Sequence, residues 1–305
     1  MAKRLTSFLP FILLLLPILG AKSFAQDTTV RAYPMQERAL LWKIEGNGIK
    51  TESYLFGTIH LIDESRFYFP KKLEKILSKS DVLTMEIGGI PDPMAVMEMM
   101  RLQEGSFFDY FTQEQTDSIL TWVNEHTALS EETFRMIVGK MRPFVVSQLL
   151  TEMDSSTGIM DNKKSYEIEL EALAKAEELT IDGLETVEEQ LGFFDQFPTE
   201  IQTEMVMEVI RADASAVDET EEMTDLYIAQ DVDGLYALIA ESSDELDGMQ
   251  EILIDGRNKR WIPKIEAMIA EKSTFIAVGS GHLGGPNGVI RLLEQLGYTL
   301  IPIEL

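Results

Sequence analysis

Two short apolar runs near residue 50 have the pattern of β-strands. The first run, Ala39–Gly46, is separated by Asn47-Gly48 from the second, Tyr54–Gly57. Asn-Gly between two apolar runs is a strong signal for a tight turn, so the pattern predicts a β-hairpin. The second strand should end at Gly57, and His60 should therefore lie in the loop beyond its carboxyl end.

Helical periodicity and compact apolar runs alternate along most of the remaining chain. Capping-type residues followed by a helical apolar repeat predict helices, and short apolar runs predict buried strands. The predicted helices cover residues 70–80, segments within 94–156, 165–179, several segments within 187–270, and 288–297. The predicted strands cover residues 81–87, 275–279 and 298–303, and residues 180–186 are predicted to form a strand that ends in a loop. This alternation predicts a mixed α/β protein.

Two segments share one frame, in which an apolar run is followed by Gly, two further residues, His and Leu. The first segment, YLFGTIHL, contains His60, and the second, FIAVGSGHL, contains His282. Each frame continues into a predicted helix and strand, which gives two strand–Gly-x-x-His loop–helix–strand units. Such units belong to a central mixed β-sheet, and ligands bind beyond the carboxyl ends of its strands. We therefore expect both histidines at one edge of this sheet.

The first 25 residues have the pattern of a signal peptide. Lys3 and Arg4 precede an apolar run at residues 8–19, and Ser23 and Ala25 suit the cleavage site. We expect cleavage after Ala25 and export to the periplasm or the medium, with no membrane span afterwards. A retained anchor is the alternative. Residues 26–305 are predicted to form a single domain with a helical insertion at roughly 92–165.

The charge and cysteine content narrow the possible partners. The chain has no Cys, so its stability cannot rest on disulfides, and its formal net charge is −26. Such acidity disfavours nucleic acid, because contacts to phosphate need Lys and Arg. Solubility alone also explains the acidity, so it does not establish a basic ligand. The sequence predicts no nucleic-acid partner and indicates no oligomeric state.

Histidine is rare in this chain, yet two of its three histidines occupy the shared frame. A neutral imidazole is a good ligand for borderline metals and a good general base. Glu86 lies in an otherwise apolar strand, where a carboxylate is costly to bury unless it is paired or binds a cation. If that strand lies beside the 54–57 strand, Glu86 flanks His60 and serves as a metal ligand or a general base. The alternatives are two unrelated loop histidines and a salt-bridged or helix-capping glutamate.

Two other polar residues are candidates for the same site. Glu185 follows an apolar strand in IDGLETVEEQ, where it is either a site residue or part of the start of the next helix. Arg257, in DGRNKRW, lies on a predicted helix and could hold a substrate carboxylate or a developing oxyanion. An ordinary salt bridge is the alternative for Arg257. The third histidine, His126, lies at a helix end and is interpreted as structural.

Several catalytic schemes have no counterpart in the sequence. It has no Cys nucleophile, no HExxH helix, no G-x-S-x-G elbow and no phosphate loop with Lys. The glycine-rich segment GSGHLGGPNG lacks the dinucleotide fingerprint. The remaining groups, His, Glu and Arg, suit metal-assisted hydrolysis.

The motifs, taken in order, resemble those of the TraB/GumN family, which is similar in motif to the Tiki metalloproteases. The resemblance rests on five stretches: LLWKIEGNGIKTESYLFGTIHL, LTMEI, IDGLETVEEQ, GRNKRW and FIAVGSGHLGGPNGVIRLLEQLGYTLIPI. The resemblance covers nearly the whole chain after the predicted signal peptide. The helices between residues 94 and 157 resemble the family only loosely.

This resemblance implies a mixed α/β fold with an inserted helical region and a metal-dependent hydrolase site. The implied metal ligands are His60, His282 and Glu86, while Glu185 and Arg257 match secondary motif positions. The implied cofactor is a divalent ion such as manganese, cobalt or zinc, and the implied substrate is a peptide or a small molecule. Distant relatives bind haem-like ligands, so the alternative is a non-catalytic envelope protein that binds a metal or a haem-like cofactor.

Overall fold

The computed structural model describes residues 37–89, 93–153, 162–211, 215–244 and 249–305. The predicted signal peptide lies outside the described residues. The described residues divide into two compact units. The first, which we call the sheet unit, comprises residues 37–89, 163–186, 217–244 and 249–305. The second, the helical unit, comprises residues 93–153, 162, 187–211 and 215–216.

Among the described residues, a six-stranded mixed sheet forms the centre of the sheet unit, which confirms the predicted fold class. The strands are β1 (Leu41–Gly46), β2 (Ser53–Thr58), β3 (Ile62–Asp63), β4 (Val82–Ile87), β5 (Lys163–Lys164), β6 (Thr180–Glu185), β7 (Thr274–Gly279) and β8 (Tyr298–Ile303). The sheet order is β6-β4-β7-β2-β1-β8, and β3 pairs separately with β5. Strands β6, β4, β7 and β2 run parallel, whereas β1 is antiparallel to both of its neighbours.

The helices lie where helical periodicity predicts them. The sheet unit contains α1 (Lys71–Leu77), α6 (Tyr166–Ala176), nearly all of α9 (Ser215–Ile228), α10 (Val232–Asp244), α11 (Gly256–Glu271) and α12 (Val289–Gln295). The helical unit contains α2 (Pro93–Met99), α3 (Gln113–His126), α4 (Glu131–Val138), α5 (Pro143–Met153), α7 (Val187–Phe194) and α8 (Thr199–Arg211). A π-helical turn, Glu251–Asp255, leads directly into α11.

The two histidine-bearing strands lie at the centre of the core of the sheet unit. Their apolar residues, including Leu55, Phe56, Phe275 and Ile276, are fully or almost fully buried. Near-continuous apolar runs are typical of parallel strands that are covered on both faces. Each such side chain contributes about 1.5–3 kcal/mol when it is buried. The two strands that carry the histidine loops are therefore anchored in the core of the sheet unit.

One predicted neighbour relation is wrong. Strand β4 does not lie beside β2, because β7 pairs with both of them. The connection from β2 to β4 contains β3 and α1, so it is long enough to pass over an intervening strand. Both β7 and β4 are buried along their first five residues, and both take interior positions in the sheet.

The predicted β1–β2 hairpin is confirmed, but its loop is longer than the Asn-Gly pair suggests. Asn47 and Gly48 have positive φ angles of 47° and 75°, as a tight turn of this kind requires. However, the strands pair only up to Ile44 opposite Ser53, because the last two residues of β1 pair with β8 alone. The turn therefore lies at the start of a longer loop, which connects Gly46 at the end of β1 with Ser53 at the start of β2.

The helical unit has its own core, built around residues such as Phe107, Ile119 and Phe134. At the start of α3, Thr112 and Gln115 form the capping box that the sequence predicts there. The Nδ1–H of His126 donates to the Trp122 carbonyl at 2.9 Å, and the two rings stack at 4.6 Å, which agrees with a structural role. Within the described ranges, no helix has both the length and the apolar composition needed to cross a bilayer.

Candidate functional site

Strands β2 and β7 place the two frame histidines at the same edge of the sheet. The strands are parallel neighbours in which Thr58 pairs with Gly279. His60 follows the end of β2 by two residues, and His282 closes the short 3-10 turn Ser280–His282 directly after β7. The side chain of His60 is 22 % exposed, whereas that of His282 is 4 % exposed. Of the two histidines, His60 is therefore the more accessible to solvent.

Three of the predicted site residues surround the backbone of Gly279. An atom at the position of a Cβ on Gly279 would lie 3.3 Å from Glu86 Oε1, 3.6 Å from His282 Cδ2 and 3.9 Å from His60 Nε2. Glu86 reaches this point from β4, on the far side of β7, and its Oε1 accepts the Gly279 N–H at 2.8 Å. Glu86 therefore flanks the histidines even though its strand does not adjoin β2.

Arg257 connects Glu185, the last of the five predicted residues, to this group. It is the second residue of α11 and is only 3 % exposed. Its Nη2 donates to Glu86 Oε2 at 2.5 Å and to Glu185 Oε2 at 2.8 Å, and its Nε donates to Glu185 as well. Removing one partner of such a buried ion pair costs about 3–5 kcal/mol. The structure thus brings all five predicted residues together, and the salt-bridge alternative for Arg257 describes its contacts.

This environment shifts the pKa values of Glu86 and Glu185 in opposite directions. Burial opposes ionisation of Glu86, but Arg257, His282 and His60 together hold its pKa well below its usual range. Burial raises the pKa of Glu185, although Arg257 opposes the rise. Glu86 is therefore a firmly ionised group at the centre of the site.

Asn258 fixes the orientation of His282. Its Nδ2 donates to the carbonyl oxygens of His282 and Asn287 at 3.2 and 2.9 Å, so its Oδ1 is the atom that faces His282 Nδ1, at 2.7 Å. The ring also packs against Trp261, with 4.5 Å between centroids. Burial lowers the pKa of His282 to about 3, an effect that Glu86 opposes and Arg257 reinforces. His282 is therefore a neutral imidazole.

Glu167 plays the corresponding part for His60. Its Oε1 lies 3.0 Å from His60 Nδ1 and accepts the Thr58 hydroxyl at 2.6 Å, while its Oε2 accepts the Ser165 hydroxyl at 2.8 Å. Burial opposes ionisation of Glu167, but His60 and the Thr58 hydroxyl lower its pKa. Burial also opposes protonation of His60, yet Glu167 and Glu86 raise its pKa overall.

Sequence reasoning missed both Glu167 and Asn258. Glu167 lies in the first turn of α6, where an acidic residue is common because it interacts favourably with the helix dipole. Asn258 offered a weak signal, because Asn is a poor choice for a helix interior unless its side chain has a specific partner. It lies beside Arg257 in the GRNKRW motif and is completely buried.

The glycine-rich stretch after β7 serves packing against α10. A Cβ on Gly281 would lie 2.3 Å from Ile239, and one on Gly284 would lie 2.2 Å from the Val232 carbonyl oxygen. Gly285, at φ +79°, would meet the ring of Tyr236. These glycines allow α10 to press against the His282 turn, which explains a glycine content that no nucleotide motif accounts for.

The donor set suits a divalent ion in its chemistry. Two imidazoles and a carboxylate are typical ligands of zinc and related ions. Glu86 and Glu185 contact the Arg257 guanidinium, and Glu167 contacts His60, so three carboxylates at the site stand against one fixed positive charge. As the side chains stand, Arg257 Nη1 donates to His282 Nε2 at 3.3 Å, and no group of three His, Asp or Glu residues in the described part of the chain is arranged around a metal position. An ion bound by His282 Nε2 would have to displace this contact from Arg257.

The fold and the site define a mixed α/β protein with Gly-x-x-His loops on adjacent parallel strands. The family model described as the TraB/PrgY/gumN family matches residues 40–302. Since the match spans most of the chain, the protein belongs to this family. Comparisons with curated proteins and with solved structures find no match.

Proposed function

We propose that the protein is an exported metal-dependent hydrolase, with a peptide as the favoured substrate. The observation that supports this proposal best is the meeting of His60, Glu86 and His282 around Gly279. Export rests on the leader pattern of residues 1–25. Family membership is consistent with the proposal but does not specify a reaction.

His60 Nε2, His282 Nε2 and Glu86 Oε1 would hold the ion in this proposal. A divalent ion held by these residues would polarise a scissile carbonyl and would make a nearby water molecule more acidic. Arg257 supplies a fixed positive charge beside the reacting group, where it stabilises negative charge that develops on the carbonyl oxygen. Glu185 orients Arg257 through contacts of 2.8–3.2 Å.

The low pKa of Glu86 favours the role of ligand over that of general base. A carboxylate whose pKa lies well below its usual range is a weak base, because it holds a proton poorly. The same property suits a ligand, which has to stay ionised when a cation binds. Because Gly279 has no side chain, nothing from its own residue lies between this carboxylate and the two histidines.

Metal analysis and peptide cleavage test the proposal together. We expect the protein purified after export to bind manganese, cobalt or zinc and to cleave peptides when one of these ions is supplied. His60→Ala and His282→Ala should lose both properties. His126→Gln is the matched control, because it removes the third imidazole in the other unit and should retain both properties.

Retention of metal and cleavage by both His60→Ala and His282→Ala would contradict the proposal. Tight ion binding without turnover on any peptide would support a binding protein instead. An intense Soret absorption band on the purified protein would identify a haem-like ligand and would also overturn the hydrolase assignment.

A further inference from the structure

We infer that Glu167 and Asn258 are positioning residues that hold His60 and His282 as Nδ1–H tautomers. The lone pair of His60 Nε2 then faces the space around Gly279, and the lone pair of His282 Nε2 faces Arg257 beside Glu86. That these nitrogen atoms bind a metal ion, and which ion they bind, rests on the proposed function. The tautomers themselves follow from hydrogen bonds that involve no metal.

The tautomer of His282 follows from the orientation of one amide. Both Nδ2 hydrogens of Asn258 are used by carbonyl oxygens, those of His282 and Asn287. The amide oxygen is therefore the atom 2.7 Å from His282 Nδ1. An amide oxygen only accepts, so Nδ1 has to carry the hydrogen. The lone pair then lies on Nε2, which is 3.8 Å from Glu86 Oε1 and accepts from Arg257.

The tautomer of His60 follows from a carboxylate that already has two donors. Thr58 and Ser165 each donate a hydroxyl hydrogen to Glu167. An ionised carboxylate only accepts, so His60 Nδ1 donates to it at 3.0 Å. The opposite ring atom, Nε2, has no hydrogen-bond partner among the described residues and lies near Gly279.

The two positioning residues, Glu167 and Asn258, belong to different helices. Glu167 belongs to the first turn of α6, and Asn258 to the first turn of α11. Hydrogen bonds from ligand imidazoles to such partners orient the ring and raise its basicity, and their loss typically reduces metal affinity 10- to 100-fold. A carboxylate anchors His60 and an amide anchors His282, so His60 should be the stronger donor of the two.

Nitrogen NMR of histidine tests this assignment directly, because the chain has only three histidines. In chelator-treated protein labelled with nitrogen-15 histidine, at a pH alkaline enough to keep His60 neutral, we expect a protonated Nδ1 and an unprotonated Nε2 for both His60 and His282. His126→Gln removes the third set of signals and simplifies their assignment. An Nε2–H tautomer at either site residue would overturn the inference, and this result needs no variant of the site to fold.

Variants then separate positioning from mere structural support. Glu167→Ala should release the tautomer of His60 and weaken cobalt binding about 10- to 100-fold, measured by titration of the cobalt absorption bands. Glu167→Gln should keep both near wild type, because its amide oxygen still accepts from Nδ1 while its NH₂ faces the Ser165 hydroxyl. Glu169→Ala, in the same turn of α6 but with a side chain 44 % exposed, should change neither.

Asn258→Ala should have the same effect on His282 without altering the signals of His60. Unchanged tautomers and cobalt affinity in both Glu167→Ala and Asn258→Ala would overturn the inference, even if the enzyme is active. Conversely, a wild-type protein that shows the expected tautomers but binds no divalent ion and cleaves no peptide would overturn the proposed function alone.

Discussion

Arg257 is the residue on which the charge balance of the site depends. Its guanidinium lies between Glu86 and Glu185, donates to the Leu253 carbonyl and also contacts His282 Nε2. Such a fork of five donors suits two carboxylates at once, which a Lys ammonium does not. Arg257 therefore holds both carboxylates at the site.

The pH dependence of stability should report on His282. Its folded-state pKa of about 3 lies below the ordinary value of about 6.5, so the unfolded chain takes up a proton that the folded protein refuses. Stability should therefore fall as pH falls from about 6.5 towards 3, at up to roughly 1.4 kcal/mol per pH unit from this group. Urea unfolding of chelator-treated protein at several pH values measures the effect.

His282→Gln provides the comparison for this experiment. It removes the titrating imidazole, so its unfolding free energy should fall less steeply between pH 6.5 and 5 than that of the wild type. Below about pH 4.5 both proteins should lose stability together, because the lowered pKa values of Glu86 and Glu167 act there. Equal slopes above pH 5 would show that His282 is not held neutral by burial.

At the level of single residues, the sequence revealed only those site members that look unusual in it. His60 and His282 are rare residues in a repeated frame, and Glu86 is a charge in an apolar strand. Glu167 resembles any acidic residue in the first turn of a helix, because its role depends on a contact with a loop more than a hundred positions away. Such contacts arise only when the chain folds.

At the scale of secondary structure, the two frame glycines serve different purposes. A Cβ on Gly57 would lie 3.0 Å from Ser280 Cβ and Leu283 Cδ2, so Gly57 allows the turn after β7 to pack closely against β2. Gly279 instead borders the site, and its φ of −51° and ψ of 134° are open to other residues. Gly57 is therefore needed for close packing of the turn, whereas Gly279 keeps a side chain out of the site.

We therefore predict opposite defects for two alanine substitutions. Gly279→Ala should leave the unfolding free energy within about 1 kcal/mol of wild type, yet it should weaken ion and substrate binding, because its methyl group lies among His60, Glu86 and His282. Gly57→Ala should lower the unfolding free energy by about 1–3 kcal/mol, as overpacked sites do. Denaturant titration and cobalt titration on the same samples separate the two effects.

The reverse pattern would show that the roles of these glycines are wrongly assigned. That pattern is a Gly279→Ala protein that is unstable but binds normally, or a Gly57→Ala protein of wild-type stability. Both variants change a single methyl group in the same sequence frame, so each serves as the matched control for the other.

Elements were easier to predict than their neighbours. Apolar runs and caps locate strands and helices, because these signals act within a few residues. The position of β7 between β2 and β4 depends on which strands pair in the finished core, and no local signal contains that information. The short pair β3–β5 was not predicted, since two-residue strands have no pattern of their own.

At the scale of the whole molecule, the excess of acidic residues should make stability depend on salt. The chain has 52 acidic and 26 basic residues, and such an imbalance destabilises the compact state through repulsion. The screening length falls from about 30 Å at 0.01 M to about 8 Å at 0.15 M ionic strength. We expect Tm to rise over this range in calorimetry of chelator-treated protein.

Choline chloride distinguishes screening from binding of a particular cation. If repulsion is the cause, choline chloride and sodium chloride should raise Tm equally at equal ionic strength. A rise with sodium alone, or a fall with both salts, would contradict the argument from net charge.

Because β1 pairs with β8, the strands of the sheet could be connected in a different order along the chain without changing the fold. Leu41, in the first strand of the sheet, lies directly opposite Ile303, in the last. A short linker between these ends, with a new opening at the Asn47-Gly48 turn, would break no strand pairing, and folds with adjacent ends commonly tolerate such circular permutation. In the permuted chain the second Gly-x-x-His loop would remain after the first, while β1 would become the last strand to be synthesised.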